Sequence, residues 1–130
     1  MSNENQTVKS REIALDYLSR VSSGDIDKAL ELLSSDAKVW FPDKGHMNRE
    51  ELRDILKYAK TCFVDRIALV PYGVTAEGER VAVEVKGDAA LKSGAAYDNK
   101  YHFLFIVKDG LITDLREYLD TIPAQKAFWS

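Results

Sequence analysis

Residues 97–119 read YDNKYHFLFIVKDGLITDLREYL, and the way they pair decides the architecture. The stretch is two β-rich runs around Asp109-Gly110, a tight-turn signal. A two-residue loop would set Lys108 against Leu111, Phe105 against Asp114 and His102 against Glu117. That scatters polar residues over both faces. A three-residue loop with Gly110 in the left-handed position sets Val107 against Leu111, Phe105 against Thr113, Phe103 against Leu115 and Tyr101 against Glu117. It gives one strongly apolar face and one mixed face. A slip of one residue turns every side chain over, so this pattern discriminates, and the second register is the expected one.

That register gathers Tyr97, Asn99, Tyr101, Glu117 and Leu119 on the face of Phe103, Phe105 and Leu115. A carboxylate among apolar side chains is costly unless it is paired or protonated. Loss of water raises its pKa, which suits a general acid or base near neutral pH. The plainer alternative is a structural carboxylate paired with Arg116 or a helix residue. The opposite face carries Lys100, His102, Leu104 and Ile106, with Ile112, Asp114, Arg116 and Tyr118. Too apolar for water and too charged for a core, it has the composition of a subunit interface.

Working outward, the region from Cys62 has a period of two. β-rich segments are predicted over about 62–76, 79–91, 96–108 and 111–121, with turn signals at Glu77-Gly78 and Lys92-Ser93-Gly94. Pro71 points to an edge strand or a bulge. Before Cys62 the period is helical. Val8, Ala14, Leu15, Leu18 and Val21 form one stripe with Ile13 and Tyr17 beside it. Gly24 stops that helix. Ile26, Ala29, Leu30 and Leu33 face one side of a second, which ends at Ser34-Ser35. Asp36 to Phe41 reads as a short strand stopped by Pro42, and Pro42 to Met47 as a loop. Asn48 and Glu51 have capping-box spacing ahead of a third helix with Leu52, Ile55, Leu56 and Ala59 inside. Helices followed by an antiparallel meander make an α+β domain.

The 130 residues make one domain, 1–130, with residues 1–6 expected as a disordered tail and 122–130 as a C-terminal extension. A 45% hydrophobic share with 30% charged argues against a disordered chain. No apolar run approaches a membrane span, and Met1 to Gln6 lack a signal-peptide pattern, so a cytoplasmic protein away from membranes is expected. A net charge of −3 with interspersed signs makes no basic stripe for nucleic acid. Cys62 is the lone cysteine, and His46 and His102 are the two histidines. A thiolate zinc site or a several-histidine site is excluded. Chemistry falls to carboxylates and tyrosines, with no metal.

The order of these strings resembles a family. Tyr17 with Gly24-Asp25 beyond it, Asp36-Ala37 before a strand ending at Pro42, a third helix, four long strands, and the closing Val107-Lys108-Asp109-Gly110-Leu111-Ile112 and Leu115-Arg116-Glu117-Tyr118-Leu119-Asp120 look like the SnoaL-like branch of the nuclear-transport-factor-like, ketosteroid-isomerase-like cone fold. The resemblance covers roughly residues 8–121. It implies three N-terminal helices packed in a strongly curved, mainly antiparallel sheet, with a deep pocket for a small apolar molecule. It also implies a homodimer through the outer sheet face.

Enzymes of this superfamily place a pocket carboxylate at the position of Glu117, an Asp in cyclases and epoxide hydrolases and a Glu in phenazine A/B proteins. Tyr17 matches the ketosteroid isomerase tyrosine that polarises a carbonyl. This chain departs elsewhere. The isomerase Asp before the strand-ending Pro is Phe41 here, the cyclase His is Phe103, and Glu84-Val85-Lys86-Gly87-Asp88 does not reproduce the epoxide hydrolase set. The phenazine type is the closest match.

Glu117, Tyr101 and Tyr17 are therefore the expected catalytic residues. Asn99, Tyr97, Phe103, Trp40, Phe41 and His46 are the expected substrate contacts. The reading is a cofactor-independent isomerase, cyclase or dehydratase acting on a small hydrophobic carbonyl compound. A non-catalytic ligand-binding module and a dimerisation element of the same fold stand beside it.

Overall fold

A computed structural model describes residues 2–129. In chain order the elements are α1 (Ser2–Ser22), α2 (Ile26–Leu30), β1 (Leu33–Phe41), β2 (Gly45–Met47), α3 (Arg49–Cys62), β3 (Ala68–Glu77), β4 (Arg80–Ala90), β5 (Ala96–Lys108), β6 (Leu111–Leu119) and α4 (Thr121–Ala124), with a π-helical turn over Gln125–Trp129. The strands form one curved six-stranded sheet in the order β2-β1-β6-β5-β4-β3. All neighbours are antiparallel except β1 and β6. The chain is thus an α+β cone, with helices packed into the concave face. Among the described residues no helix is long and apolar enough to cross a membrane.

The third helix starts as its sequence dictates. Asn48 accepts from the Glu51 amide at 2.9 Å and Glu51 accepts from the Asn48 amide at 3.1 Å, a complete capping box. Pro71 meets both of its expectations, since β3 is an edge strand and its register with β4 shifts between Pro71 and Gly73.

Four expectations are corrected. The β5–β6 register differs from the expected one by two residues. The turn has two residues, with Asp109 at φ 52° and Gly110 at φ 81°, the conformation that suits a right-twisted hairpin. Lys108 then faces Leu111, and an extra residue, Thr113, bulges from β6 between the Val107–Ile112 and Ile106–Asp114 pairs. Turn and bulge each shift the pairing by one residue, so parity is restored. Glu117 keeps the expected face but pairs with Phe103, while Tyr101 pairs with Leu119. Ile112, ahead of the bulge, turns inward and is fully buried.

The second correction concerns Leu33, which leaves the second helix and pairs with Ile112 as the first residue of β1. The third is β2, a strand where a loop was expected, with Trp40 facing His46 and Phe41 facing Gly45. The fourth is the N-terminal tail. Residues 2–6 are the opening turns of α1, and Met1 lies outside the described residues. The Thr7 hydroxyl accepts from the Gly78 amide at 2.8 Å and donates to the Asn3 carbonyl, tying this end to the β3–β4 turn. Val8 lies 55% exposed, off the inner stripe. At the other end of α1 the buried Ser22 hydroxyl donates to the Ile67 carbonyl and accepts from the Leu69 amide, fixing the helix over β3.

Candidate functional site

Strand alternation supplies a concave floor. Tyr97, Asn99, Tyr101, Phe103, Phe105 and Val107 of β5 all face inward and are buried, as are Leu115 and Glu117 of β6. Tyr17 and Leu18 of α1 and Leu56 of α3 roof it. Between floor and roof lies a cavity of about 160 Å³. An apolar cavity of roughly 150 Å³ accepts benzene, so this space suits a molecule of about one ring. Its walls include Phe41, Phe63, Phe103 and Phe128.

Glu117 is the carboxyl in this wall. It is 8% exposed, and among the described residues no group donates a hydrogen bond to it. Burial pushes its pKa up to about 8, helped by the negative charge of Asp43 at the cavity rim. A protonated acid is the cheaper state for a buried carboxyl without a cation. Glu117 is therefore mostly a hydrogen-bond donor at neutral pH, with a minor ionised fraction.

Two phenols share the cavity. Tyr17 is 1% exposed and meets Phe105 edge-on, ring centres 5.7 Å apart. Burial, and then the Glu117 charge, holds its hydroxyl protonated well above the usual range. Tyr101 is raised by burial first, then by Tyr97 and Glu117. Tyr101 and Glu117 are diagonal neighbours on one face, a spacing of roughly 7–8 Å that long side chains can bridge.

The position of Tyr101 is set from behind. Its hydroxyl shares a short hydrogen bond with the Tyr97 hydroxyl. Asn99 Nδ2 donates to that Tyr97 oxygen at 3.0 Å and to the Asp120 carbonyl at 2.9 Å. Beneath the ring lies Gly87, where a Cβ would stand 2.7 Å from Tyr101 Cε1. Close approach, not backbone freedom, requires glycine there.

A family model described as the SnoaL-like domain matches residues 14–115. The chain belongs to the SnoaL-like family. No curated protein sequence matches it. Solved structures share its fold at low identity. A candidate polyketide cyclase of Xanthomonas campestris pv. campestris is 21% identical, with a TM-score of 0.83, over 95% of this chain and 98% of that one. A candidate SnoaL-like polyketide cyclase from Jannaschia is 19% identical, with a TM-score of 0.79, over 94% and 92%. AclR, a candidate hydroxylase from Streptomyces galilaeus, is 14% identical, with a TM-score of 0.82, over 92% and 80%.

Within this SnoaL-like chain the expected site divides. Glu117, Tyr101, Tyr17, Phe103 and Phe41 line one cavity. Tyr97 and Asn99 are buried outside the cavity lining; Tyr97 meets the Tyr101 hydroxyl and Asn99 donates to Tyr97. Trp40 and His46 are corrected. With Val39 and Phe41 buried, period two sends Trp40 to the outer face, where it packs 5.1 Å from Tyr118. His46, its cross-strand partner, is exposed on the same side.

The wall also holds Asp43 and Lys44 of the β1–β2 turn and Phe128 and Trp129 of the C-terminal turn. The only sequence signal for the last two was their need for an apolar cover. Among the described residues no group of three or more His, Cys, Asp or Glu gathers in a way that could hold a metal.

Proposed function

We propose that this SnoaL-like pocket protein is a cofactor-independent acid–base enzyme acting on a small hydrophobic carbonyl compound, by isomerisation, cyclisation or dehydration. The observation that carries this reading is a buried carboxyl without a hydrogen-bond donor, sharing a one-ring cavity with two phenols. In the ionised fraction, Glu117 takes a proton from the carbon beside the carbonyl. Tyr17 and Tyr101 donate hydrogen bonds to the carbonyl oxygen as it gains charge. With Asn99 donating to Tyr97, Tyr97 can donate to Tyr101 and leave the Tyr101 proton for the ligand. Neutral Glu117 then returns its proton at a second carbon, and a pKa near the working pH suits both halves of the exchange.

Phe41 and Phe103, at positions where the resemblance to ketosteroid isomerases and polyketide cyclases implies an acid and a histidine, favour a second reading, a non-catalytic module that binds the same class of ligand. Deuterium exchange separates the two. Acetophenone or cyclohexanone in heavy water would exchange its α-protons with the wild-type protein. Glu117→Gln would slow that exchange by about 10²–10⁴-fold. Binding without exchange, or exchange undiminished in Glu117→Gln, would reject the acid–base assignment.

The mixed outer face, which carries Trp40, Leu104 and Tyr118, suits a homodimer. Sedimentation at micromolar concentration is expected to give a dimer, and Leu104→Asp a monomer.

A further inference from the structure

We propose that the C-terminal strap, residues 121–129, is the size filter of the cavity, with Phe128 and Trp129 as the residues that limit its ligands to about one ring. The proposal rests on the reading of the Glu117 cavity as a small-molecule site.

The strap is a separate piece of wall. It leaves the sheet at Asp120, whose carboxylate accepts from the Ile122 amide at 3.1 Å. Beyond that cap no strand pairing holds it among the described residues; Ala124 is buried against the domain, and two aromatics pack on it. Phe128 meets Phe63 at 5.8 Å and Tyr97 at 5.0 Å, both edge-on. Trp129 stacks on Tyr58 of α3 at 5.1 Å and takes the Lys44 ammonium 3.8 Å from its ring centre. These two aromatics close the cavity on the side of the β1–β2 turn.

Trp129 and Lys44 border a second space as well. An outer hollow of about 490 Å³ lies against Asp43, Lys44, Ile122, Gln125, Lys126 and Trp129. Trp129 is therefore a partition between an inner one-ring cavity and a larger outer space. Removing its side chain, with that of neighbouring Phe128 in the inner wall, joins the two. The joined volume admits a fused two-ring molecule that the inner cavity alone excludes.

The strap is also linked to the chemistry. Asn99 Nδ2 donates both to the Asp120 carbonyl, at the base of the strap, and to the Tyr97 hydroxyl that meets Tyr101. One side chain thus orients the phenol pair and anchors the partition.

The test compares acetophenone with acetonaphthone by titration calorimetry on the full chain. Wild-type protein is expected to bind the one-ring ketone about tenfold or more tightly than the two-ring one, the scale on which an apolar pocket discriminates size. The double variant Phe128→Ala, Trp129→Ala is expected to erase or reverse that ratio with its circular dichroism unchanged. Tyr58→Ala removes the shelf under Trp129 from outside the cavity wall and is expected to shift the ratio part of the way. An unchanged ratio in both variants, equal wild-type binding of the two ketones, or no binding of either, overturns the filter. The Glu117 chemistry is read separately. A ratio that responds as expected with no α-proton exchange keeps the filter and rejects the acid–base reading. Exchange with an unresponsive ratio does the reverse.

Discussion

Two carboxylates in this chain occupy opposite worlds. Asp27 lies on α2 at the surface, with Lys57 Nζ and Arg53 Nε both 3.1 Å from its Oδ1. The Lys57 hydrogen bond and the two cationic charges hold its pKa below the ordinary carboxylate value. Glu117 lies in the cavity wall with no ion-pair partner among the described residues, and burial drives it the other way, to about 8. The difference is one of surroundings. The α2–α3 surface gives water and counter-charge to a group that would be charged anyway. The cone withholds both, and so favours the protonated form of an ordinary side chain.

The largest expected consequence is a pH dependence of stability. Glu117 has a folded pKa near 8 against an ordinary value of 4.5, so the folded chain holds a proton that the unfolded chain has lost across that interval. Its contribution is fully present below the unfolded value and disappears as pH rises through the folded value, a loss on the order of 3–5 kcal/mol. Urea denaturation at about pH 5 and about pH 9 measures it. Glu117→Gln is expected to flatten the profile and to be the more stable protein at the alkaline end.

Next in size is Gly87→Ala. A methyl group under Tyr101 must displace the ring or the strand, costing about 1–3 kcal/mol in chemical denaturation. It also loosens the phenol pair, and α-proton exchange should fall without loss of Glu117. Asn99→Ala follows. It removes the Asn99 donor from the Asp120 carbonyl and leaves the Tyr97 hydroxyl with Tyr101 as its remaining partner, an expected loss of about 1–2 kcal/mol by the same measurement. The smallest effect belongs to Asp27→Asn, whose surface partners are screened by water. Its melting temperature is expected to stay close to wild type and its pH profile to follow the wild-type curve. A large change there would break the contrast between surface and cavity.

Much of this contrast was legible in residues 97–119, for a physical reason. Strand alternation assigns faces by parity, and parity survived two errors that cancelled. Asp109-Gly110 is compatible with a two-residue turn or with a three-residue loop, and nothing local announces the bulge at Thr113. The faces could therefore be read while the pairs could not. The capping box at Asn48 and Glu51 and the edge position of Pro71 were legible because each is a local steric or hydrogen-bond demand. Trp40 has the apolar character of a pocket residue, but parity with buried Phe41 puts it on the outer face. The outward position of His46 is not legible because β2, three residues long, carries no periodic signal. Phe128 and Trp129 reach the cavity by a tertiary path that their own short helical segment does not encode, and Asp43 influences Glu117 only through space.

The most direct measurement is an NMR titration of the Glu117 carboxyl in protein carrying 13C-labelled glutamate, with Glu117→Gln to assign the resonance. A midpoint near 8 is expected if the cone keeps this acid protonated. A midpoint in the ordinary glutamate range, about 4–5, would mean that the cavity is wet and that Glu117 is an unremarkable carboxylate.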